Sequence, residues 1–180
     1  MTEEKPKKKR SSKTPVAVTY KEYVELLKYT AGIHHKIGMM LAFQSGMRIS
    51  EVIGLKPENI DVENKRIQIR GGKGDKDRVT ILPIHWNDEI HRQYIPIACS
   101  NRALQKAFEI AAEASGLYKV KPNVHFHSLR HGFATFCYER GVGIEHIQML
   151  LGHTDISTTM VYVRVSPYKA LDAARKAFEP

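Results

Sequence analysis

The sequence contains only two cysteines, Cys99 and Cys137, among 180 residues. Two cysteines cannot form the disulfide framework of a small secreted domain, and no Cys-x-x-Cys pair or mixed Cys/His zinc spacing is present. No apolar run approaches the roughly 18 residues of a membrane-spanning helix, and the charged N-terminus lacks the apolar segment of a secretory signal. We therefore expect a soluble protein in a reducing compartment, and we exclude secreted and integral-membrane classes.

Negative charge is in deficit. Lys and Arg number 28 against 19 Asp and Glu, for a net charge of +9 and a pI near 9.5. Six of the basic residues and two Glu lie within residues 1–13. Such a balance favours a polyanionic partner, with DNA or RNA ahead of a membrane surface. Residues 1–15 show no periodicity and are predicted to be a flexible basic arm, which either adds phosphate contacts or is simply a solvated tail.

Hydrophobic periodicity predicts a mainly α protein with a small three-stranded antiparallel sheet, an α+β fold. Apolar positions at helical spacing, bounded by capping residues and glycines, predict helices that begin at Thr19 and cover 34–44, 49–55, 100–115, 127–140, 144–151, 157–165 and 168–178. Alternating residues predict strands over 60–62, 66–70 and 78–84, with a Gly/Lys-rich hairpin between the last two.

The densest polar cluster lies at residues 125–131 and includes His125, His127, Arg130 and His131. Three histidines in seven residues suggest a metal site, but their spacing matches no standard zinc pattern and the cluster has no Cys or carboxylate. We therefore expect no metal and no other cofactor. Considered singly, His131 could simply be a packed side chain and Arg130 a solvated one, with no functional role for either.

Four motifs follow one another along the chain: SGMRISE at 45–51, GGKGDKDR at 71–78, HSLRHGFAT at 127–135 and LLGHTDISTTMVY at 150–162. In identity, order and local setting they resemble the tyrosine recombinase (phage integrase) family, including its Xer-like members. The resemblance covers residues 19–168. It implies that residues 16–180 form the DNA breaking-rejoining catalytic domain of that family. The implied reaction is site-specific recombination without metal, through a 3′-phosphotyrosyl intermediate.

The resemblance also implies a set of catalytic residues, namely Arg48, Lys73, His127, Arg130, His153 and Tyr162. The two arginines match the family's phosphate clamps, and planar guanidinium groups suit the non-bridging oxygens. His127 is expected to accept the tyrosine proton as an imidazole that titrates near neutral pH. His153 is expected to donate to a non-bridging oxygen, and Tyr162 to be the nucleophile.

Lys73 matches the hairpin lysine that protonates the leaving 5′-oxygen, although Lys76 competes with it for this role. Glu51 is expected to orient an arginine, its alternative being an ordinary exposed helix acid. His131 is expected to pack behind the site as a supporting residue. His125 stays unassigned.

Two other functions share features with this one. A type IB topoisomerase uses the same active-site logic without exchanging partners, and a DNA-binding regulator could keep the fold without catalysis. Because all six positions are filled, we favour the recombinase, acting on double-stranded DNA in the cytoplasm, associated with the nucleoid and with no membrane partner.

Members of the family usually carry an N-terminal core-binding domain, and residues 1–18 are too few to form one. We therefore expect that domain to be absent, either because the chain is an excised fragment or because it is a naturally minimal recombinase. The helix over 168–178 has an apolar stripe that either packs on its own domain or is exchanged in trans within a tetramer on DNA.

Overall fold

The structure is a computed structural model that describes residues 15–70 and 77–152. Several predictions fall outside these residues: the basic arm up to residue 14, the hairpin residues 71–76, and the helices over 157–165 and 168–178. Lys73, Lys76, His153 and Tyr162 also lie outside them.

Helices dominate the described residues, as the hydrophobic pattern predicted. Their bounds are α1 Tyr20–Lys28, α2 Ile33–Gln44, α3 Ile49–Ile53, α4 Asp88–His91, α5 Asn101–Ala114, α6 Leu117–Val120, α7 His127–Glu139 and α8 Ile144–Leu151. Short 3-10 turns cover Pro57–Asn59 and Arg92–Tyr94. The two short helices α4 and α6 were missed, because four residues are too few to show a helical period.

Capping residues fix the ends of the long helices. Thr19 and Glu22 form the predicted capping box at the start of α1, with each side chain accepting from the other residue's backbone N–H. Ser100 caps α5 through a bond from the Ala103 amide. Gly152 follows α8 in the left-handed conformation, with φ +64°, as expected of a helix-ending glycine.

The sheet has strands β1 Ile60–Asp61, β2 Arg66–Ile69 and β3 Arg78–Ile81, in the order β1-β2-β3 and antiparallel throughout. Strand β3 is shorter than predicted, since Pro83 has no N–H to continue the ladder. In the register between β2 and β3, Ile67 pairs with Thr80 and Ile69 with Arg78. One face of the sheet is thereby buried, and Arg78 lies on that face.

The main hydrophobic core joins α1, α2 and α5 to the start of α7 and to the inner face of the sheet. A smaller cluster lies between α7 and α8 and consists of Phe133, Ala134, Ile147 and Leu151. Helices α2 and α7 pack against each other, and Gly132 on α7 leaves no room for a side chain. A Cβ there would lie 2.2 Å from the Val18 carbonyl oxygen and 2.7 Å from a Phe43 ring carbon.

The segment before α1 is bound to the start of α7. The Val18 amide donates to the Ser128 carbonyl at 3.1 Å. Lys121 Nζ donates to the Ala17 carbonyl at 2.8 Å and to Glu22 Oε2 at 2.7 Å. Val18 therefore lies directly against the helix that carries three of the predicted site residues, His127, Arg130 and His131.

Candidate active site

Glu51 is the centre of the polar cluster. It is the third residue of α3, and its Oε2 accepts from the Arg48 backbone amide at 2.7 Å, which caps the helix. Its Oε1 accepts from Arg48 Nη1 at 2.9 Å. The same carboxylate therefore fixes both the start of the helix and the direction of the arginine beside it.

Two further arginines reach the same carboxylate from distant parts of the chain. Arg78 Nη2 donates to Glu51 Oε2 at 2.6 Å, and Arg130 Nη1 lies 3.8 Å from that oxygen. The Glu51 side chain is only 12% exposed, so these charges interact in a partly desolvated environment. Three guanidinium groups therefore lie within 4 Å of one carboxylate, and fixed cations of this kind suit a phosphate.

Arg130 is almost completely buried, with 1% of its side chain exposed. Its Nη1 donates to the Gly46 carbonyl at 2.6 Å and its Nη2 to the Leu151 carbonyl, also at 2.6 Å. The solvated alternative for Arg130 is thus wrong.

Arg48 is the more accessible clamp candidate, with 29% of its side chain exposed. It precedes α3 in extended conformation and is tied to Glu51 by both its backbone and its side chain. Arg48 and Arg130 therefore lie around one carboxylate, although they belong to separate motifs.

His127 opens α7 next to these arginines. Burial, followed by the positive charges of Arg130, His125 and Arg48, lowers the pKa of His127 to about 4. The sequence led us to expect an imidazole that titrates near neutral pH, and the structure differs because the ring is desolvated beside cations. At pH 7 the ring is neutral and can accept a proton.

The other two histidines flank His127. The His131 ring lies edge-on to the His127 ring at a centroid distance of 4.8 Å, and the centroid of the His125 ring lies 6.3 Å from that of His127. His125 is exposed, and its amide donates to Ser128 Oγ at 3.2 Å. His131 therefore lies against the ring of His127. In residues 15–70 and 77–152, no three His, Cys, Asp or Glu side chains are arranged to hold a metal ion.

Arg78 is a member of the cluster to which the sequence assigned no role, although it is the last residue of the motif at 71–78 and the first of a predicted strand. Besides Glu51, it contacts the end of α8, where its Nη1 donates to the Leu150 carbonyl at 2.6 Å. Strand alternation could have found it, since Arg78 shares a face with Thr80, which is buried. An arginine on the buried face of a sheet must have acidic or carbonyl partners.

The structure thus brings together Arg48, Glu51, His127, Arg130 and His131 among the predicted site residues. Lys73, His153 and Tyr162 lie outside the described residues. No helix in the described part of the chain is long and apolar enough to cross a membrane.

A mostly helical domain with a small three-stranded antiparallel sheet is the catalytic-domain fold of tyrosine recombinases. The family model described as "Phage integrase family" matches residues 17–168. The chain belongs to this family.

Curated relatives include two archaeal proteins named tyrosine recombinase XerA. The one from Pyrococcus horikoshii is 33% identical over 177 residues, covering 91% of this chain and 61% of the relative. The one from Thermococcus kodakarensis is 33% identical over 191 residues, covering 96% of this chain and 65% of the relative. The chain therefore spans less than two thirds of the length of these relatives.

Solved structures share the fold. The crystal structure of a XerA recombinase superposes with a TM-score of 0.70 at 21% identity, covering 94% of this chain and 68% of that one. The XerH site-specific recombinase bound to its palindromic difH substrate, in a post-cleavage complex, gives 0.74 at 22% identity, with coverages of 93% and 55%. A lambda integrase dimer bound to a core site gives 0.68 at 20% identity, with coverages of 85% and 49%.

Proposed function

We propose that this chain is the catalytic part of a site-specific DNA recombinase or integrase that cleaves and rejoins strands through a 3′-phosphotyrosyl intermediate. The observation that carries the proposal is the cluster around Glu51, where the motif arginines Arg48 and Arg130 meet beside His127. Membership of the phage integrase family and the XerA relatives support this function. Residues 16–180 form the catalytic domain in this proposal, with residues 1–15 as a basic arm.

In the proposed reaction the Tyr162 oxygen attacks the scissile phosphorus and forms an ester, while the bond to the 5′-oxygen breaks. Arg48 and Arg130 neutralise charge on the non-bridging oxygens, where fixed donors in a desolvated site have their largest effect. Glu51 holds the guanidinium groups in place, so that little reorganisation is needed as the phosphate becomes five-coordinate.

Proton transfer in this proposal uses residues on both sides of the phosphate. The pKa of His127 is lowered to about 4 in the DNA-free chain, so the ring is neutral at pH 7. A bound phosphate raises this pKa and makes the ring a stronger base, which then takes the Tyr162 proton. Lys73 supplies a proton to the leaving 5′-oxygen, and His153 donates to a non-bridging oxygen. The ester link conserves the energy of the broken bond, so a 5′-hydroxyl can reverse the step and release the tyrosine. No metal ion takes part in this scheme.

Double-stranded DNA is the partner that we propose, with self-association into a tetramer on DNA and the helix over 168–178 exchanged between subunits. The net charge of +9 suits such a polyanion. Support for assembly comes from relatives of the same fold, since the lambda integrase structure is a dimer on its core site. The proposed setting is the cytoplasm, close to the nucleoid.

The test is a covalent trapping experiment. Duplexes that the chain binds are first selected from a random library and are then nicked near the centre, so that a cleaved strand diffuses away. After incubation with and without EDTA and quenching in SDS, peptide mapping by mass spectrometry should place the DNA on Tyr162. Tyr162→Phe should form no adduct, whereas Tyr29→Phe, a change at an exposed tyrosine, should leave it intact.

Each outcome decides between functions. An adduct on Tyr162 that forms in EDTA establishes the metal-independent covalent step. Exchange of strands between two labelled duplexes then separates a recombinase from a topoisomerase, which would relax DNA without exchange. Tight binding with no adduct on any selected site would refute the enzyme and favour a DNA-binding regulator.

A further inference from the structure

We propose that Arg78 is a positioning residue for the active site: it binds Glu51 and the end of α8, and thereby keeps Arg130 available to the phosphate. This inference rests on the function proposed above. It adds a residue to which the family motifs led us to assign no role.

The first argument is the position of Arg78 between two parts of the site. Its Nη2 lies 2.6 Å from Glu51 Oε2 and its Nη1 lies 2.6 Å from the Leu150 carbonyl oxygen. Arg130 makes the matching bond to the next carbonyl, that of Leu151, at 2.6 Å. Two guanidinium groups thus hold consecutive carbonyls at the C-terminus of one helix, where backbone oxygens lack intrahelical donors and cations are favourable.

The second argument is the distribution of charge around Glu51. Its Oε2 is 2.6 Å from Arg78 but 3.8 Å from Arg130 Nη1, so Arg78 is the nearer partner of this oxygen. Without Arg78, the carboxylate would be free to pair closely with Arg130 and would neutralise a clamp. Arg78 therefore keeps the site positive in two ways, by its own charge and by occupying Glu51 Oε2.

The third argument concerns accessibility. Only 6% of the Arg78 side chain is exposed, and its stem is covered by the end of α8. A Cβ on Gly152 would lie 2.5 Å from Arg78 Cδ and 2.9 Å from its Nε. Arg78 is thus packed behind the site, and it acts through Glu51 and α8 without touching the phosphate.

Only arginine suits these contacts. Two nitrogens of one planar group reach two acceptors that belong to different elements, which a single lysine ammonium cannot do in the same geometry. We therefore expect Arg78→Lys to behave almost like Arg78→Ala. The matched control is Arg66→Ala on the neighbouring strand, where the arginine is largely exposed and pairs with Asp61 at 2.8 Å.

The first measurement separates binding from chemistry. Single-turnover cleavage of the nicked duplex should slow by about 10- to 100-fold in Arg78→Ala and Arg78→Lys, while the Kd for the same duplex changes less than threefold. Arg66→Ala should keep the wild-type rate. An unchanged rate in Arg78→Ala, or a loss explained entirely by weaker binding, would overturn the inference.

The second measurement asks whether Arg78 acts through Glu51. If the freed carboxylate neutralises Arg130, the double variant Arg78→Ala/Glu51→Gln should lose less cleavage activity than the product of the two single-variant losses predicts. A residue that merely supports the fold would give additive losses. Urea unfolding of each variant shows whether the fold is retained, and additive losses with an intact fold would count against the inference.

A third measurement does not depend on cleavage. The pKa of His127, followed by the NMR shifts of its ring protons, should rise in Arg78→Ala, because the freed Glu51 pairs with Arg130 and offsets the positive charge that lowers this pKa. Arg66→Ala should leave it unchanged. If the wild-type chain forms no adduct, the proposed function fails while this titration still tests the positioning role. A His127 pKa that does not move in Arg78→Ala would refute that role.

Discussion

The guanidinium group of Arg130 donates to the carbonyl oxygen of Gly46 at 2.6 Å, across 84 positions of sequence. Gly46 precedes Arg48 by two residues, so this bond ties the backbone of the first motif to the side chain of the third. The carbonyl takes its direction from a left-handed backbone, since Gly46 has φ +64°. The two clamps are thereby coupled through the main chain as well as through Glu51.

Gly46→Ala is expected to be one of the most damaging small substitutions in this protein. A Cβ at Gly46 would lie 2.6 Å from Phe133 Cδ1 and 2.9 Å from Leu151 Cδ2, in addition to the cost of a positive φ. We expect a loss of about 3 kcal/mol or more in the free energy of unfolding, because overpacking and backbone strain add. Urea denaturation measures it.

Gly116→Ala is the matched control. Gly116 also has a left-handed backbone, with φ +74°, but no heavy atom lies within 4 Å of a Cβ placed there. Gly116→Ala should therefore lower the free energy of unfolding only by the backbone penalty of a positive φ, about 1 kcal/mol. Equal losses for the two variants would mean that the packing around Gly46 contributes nothing.

Arg130→Lys is expected to lower both stability and cleavage. A lysine cannot reach the Gly46 and Leu151 carbonyls together, and it leaves buried acceptors without donors. We expect about 2–4 kcal/mol less stability and at least a hundredfold slower cleavage of the nicked duplex. The control, Arg140→Lys at the end of α7, changes an arginine that lies 3.5 Å above the Phe136 ring, where a lysine can substitute. It should alter the free energy of unfolding by less than about 1 kcal/mol, and a similar loss in both variants would contradict the prediction.

The pH dependence of stability should report the burial of His127. Its pKa is about 4 in the folded chain against 6.5 for the ordinary group, so the unfolded chain binds more protons between these values. The contribution of His127 to the free energy of unfolding is therefore at its maximum above about pH 6.5, and it decreases as the pH falls towards 4. The loss should not exceed about 3 kcal/mol, since one pKa unit corresponds to about 1.4 kcal/mol and the ring is only partly desolvated.

The measurement is urea unfolding at a series of pH values for the wild type and for His127→Asn, in which this part of the slope should vanish. NMR titration of the ring gives the midpoint directly. Binding of the nicked duplex should raise that midpoint, because a phosphate brings negative charge beside the imidazole. A midpoint above pH 6 in the free protein would contradict the prediction.

Local rules predicted much of the fold. The capping box at Thr19, the Ser100 cap and the left-handed Gly152 each depend on a few neighbouring residues, so the sequence carries their signal. The motifs likewise identified Arg48 and Arg130. The rest depends on contacts between distant elements. Strand alternation places Arg78 on the buried face of the sheet, but its partners Glu51 and Leu150 follow only from the packing of β3 against α3 and α8.

The lowered pKa of His127 escaped prediction for the same reason. Its largest cause is burial, which is set by packing, and its neighbours Arg130 and Arg48 come from two different elements. Spacing along the chain can bring His127 and Arg130 onto one helix face, but it cannot say how much water reaches them.

Gly132→Ala is expected to detach the segment before α1 from α7. A Cβ at Gly132 would lie 2.2 Å from the Val18 carbonyl oxygen, and a backbone oxygen cannot rotate away as a side chain can. The bond from the Val18 amide to the Ser128 carbonyl should therefore weaken. We expect a loss of about 1–3 kcal/mol in the free energy of unfolding, with faster hydrogen exchange at the Val18 amide, measured by NMR.

Gly38→Ala offers a contrast within α2. A Cβ at Gly38 would lie 2.9 Å from Leu104 Cδ1, the flexible end of a side chain, and alanine favours the helix by about 1 kcal/mol over glycine. Its net effect on the free energy of unfolding should be small, and exchange at Val18 should not change. If both variants exchanged the Val18 amide at the wild-type rate, the segment would not depend on the close approach at Gly132. If only Gly132→Ala accelerates exchange, the glycine is required because the entering chain lies against the helix that carries His127 and Arg130.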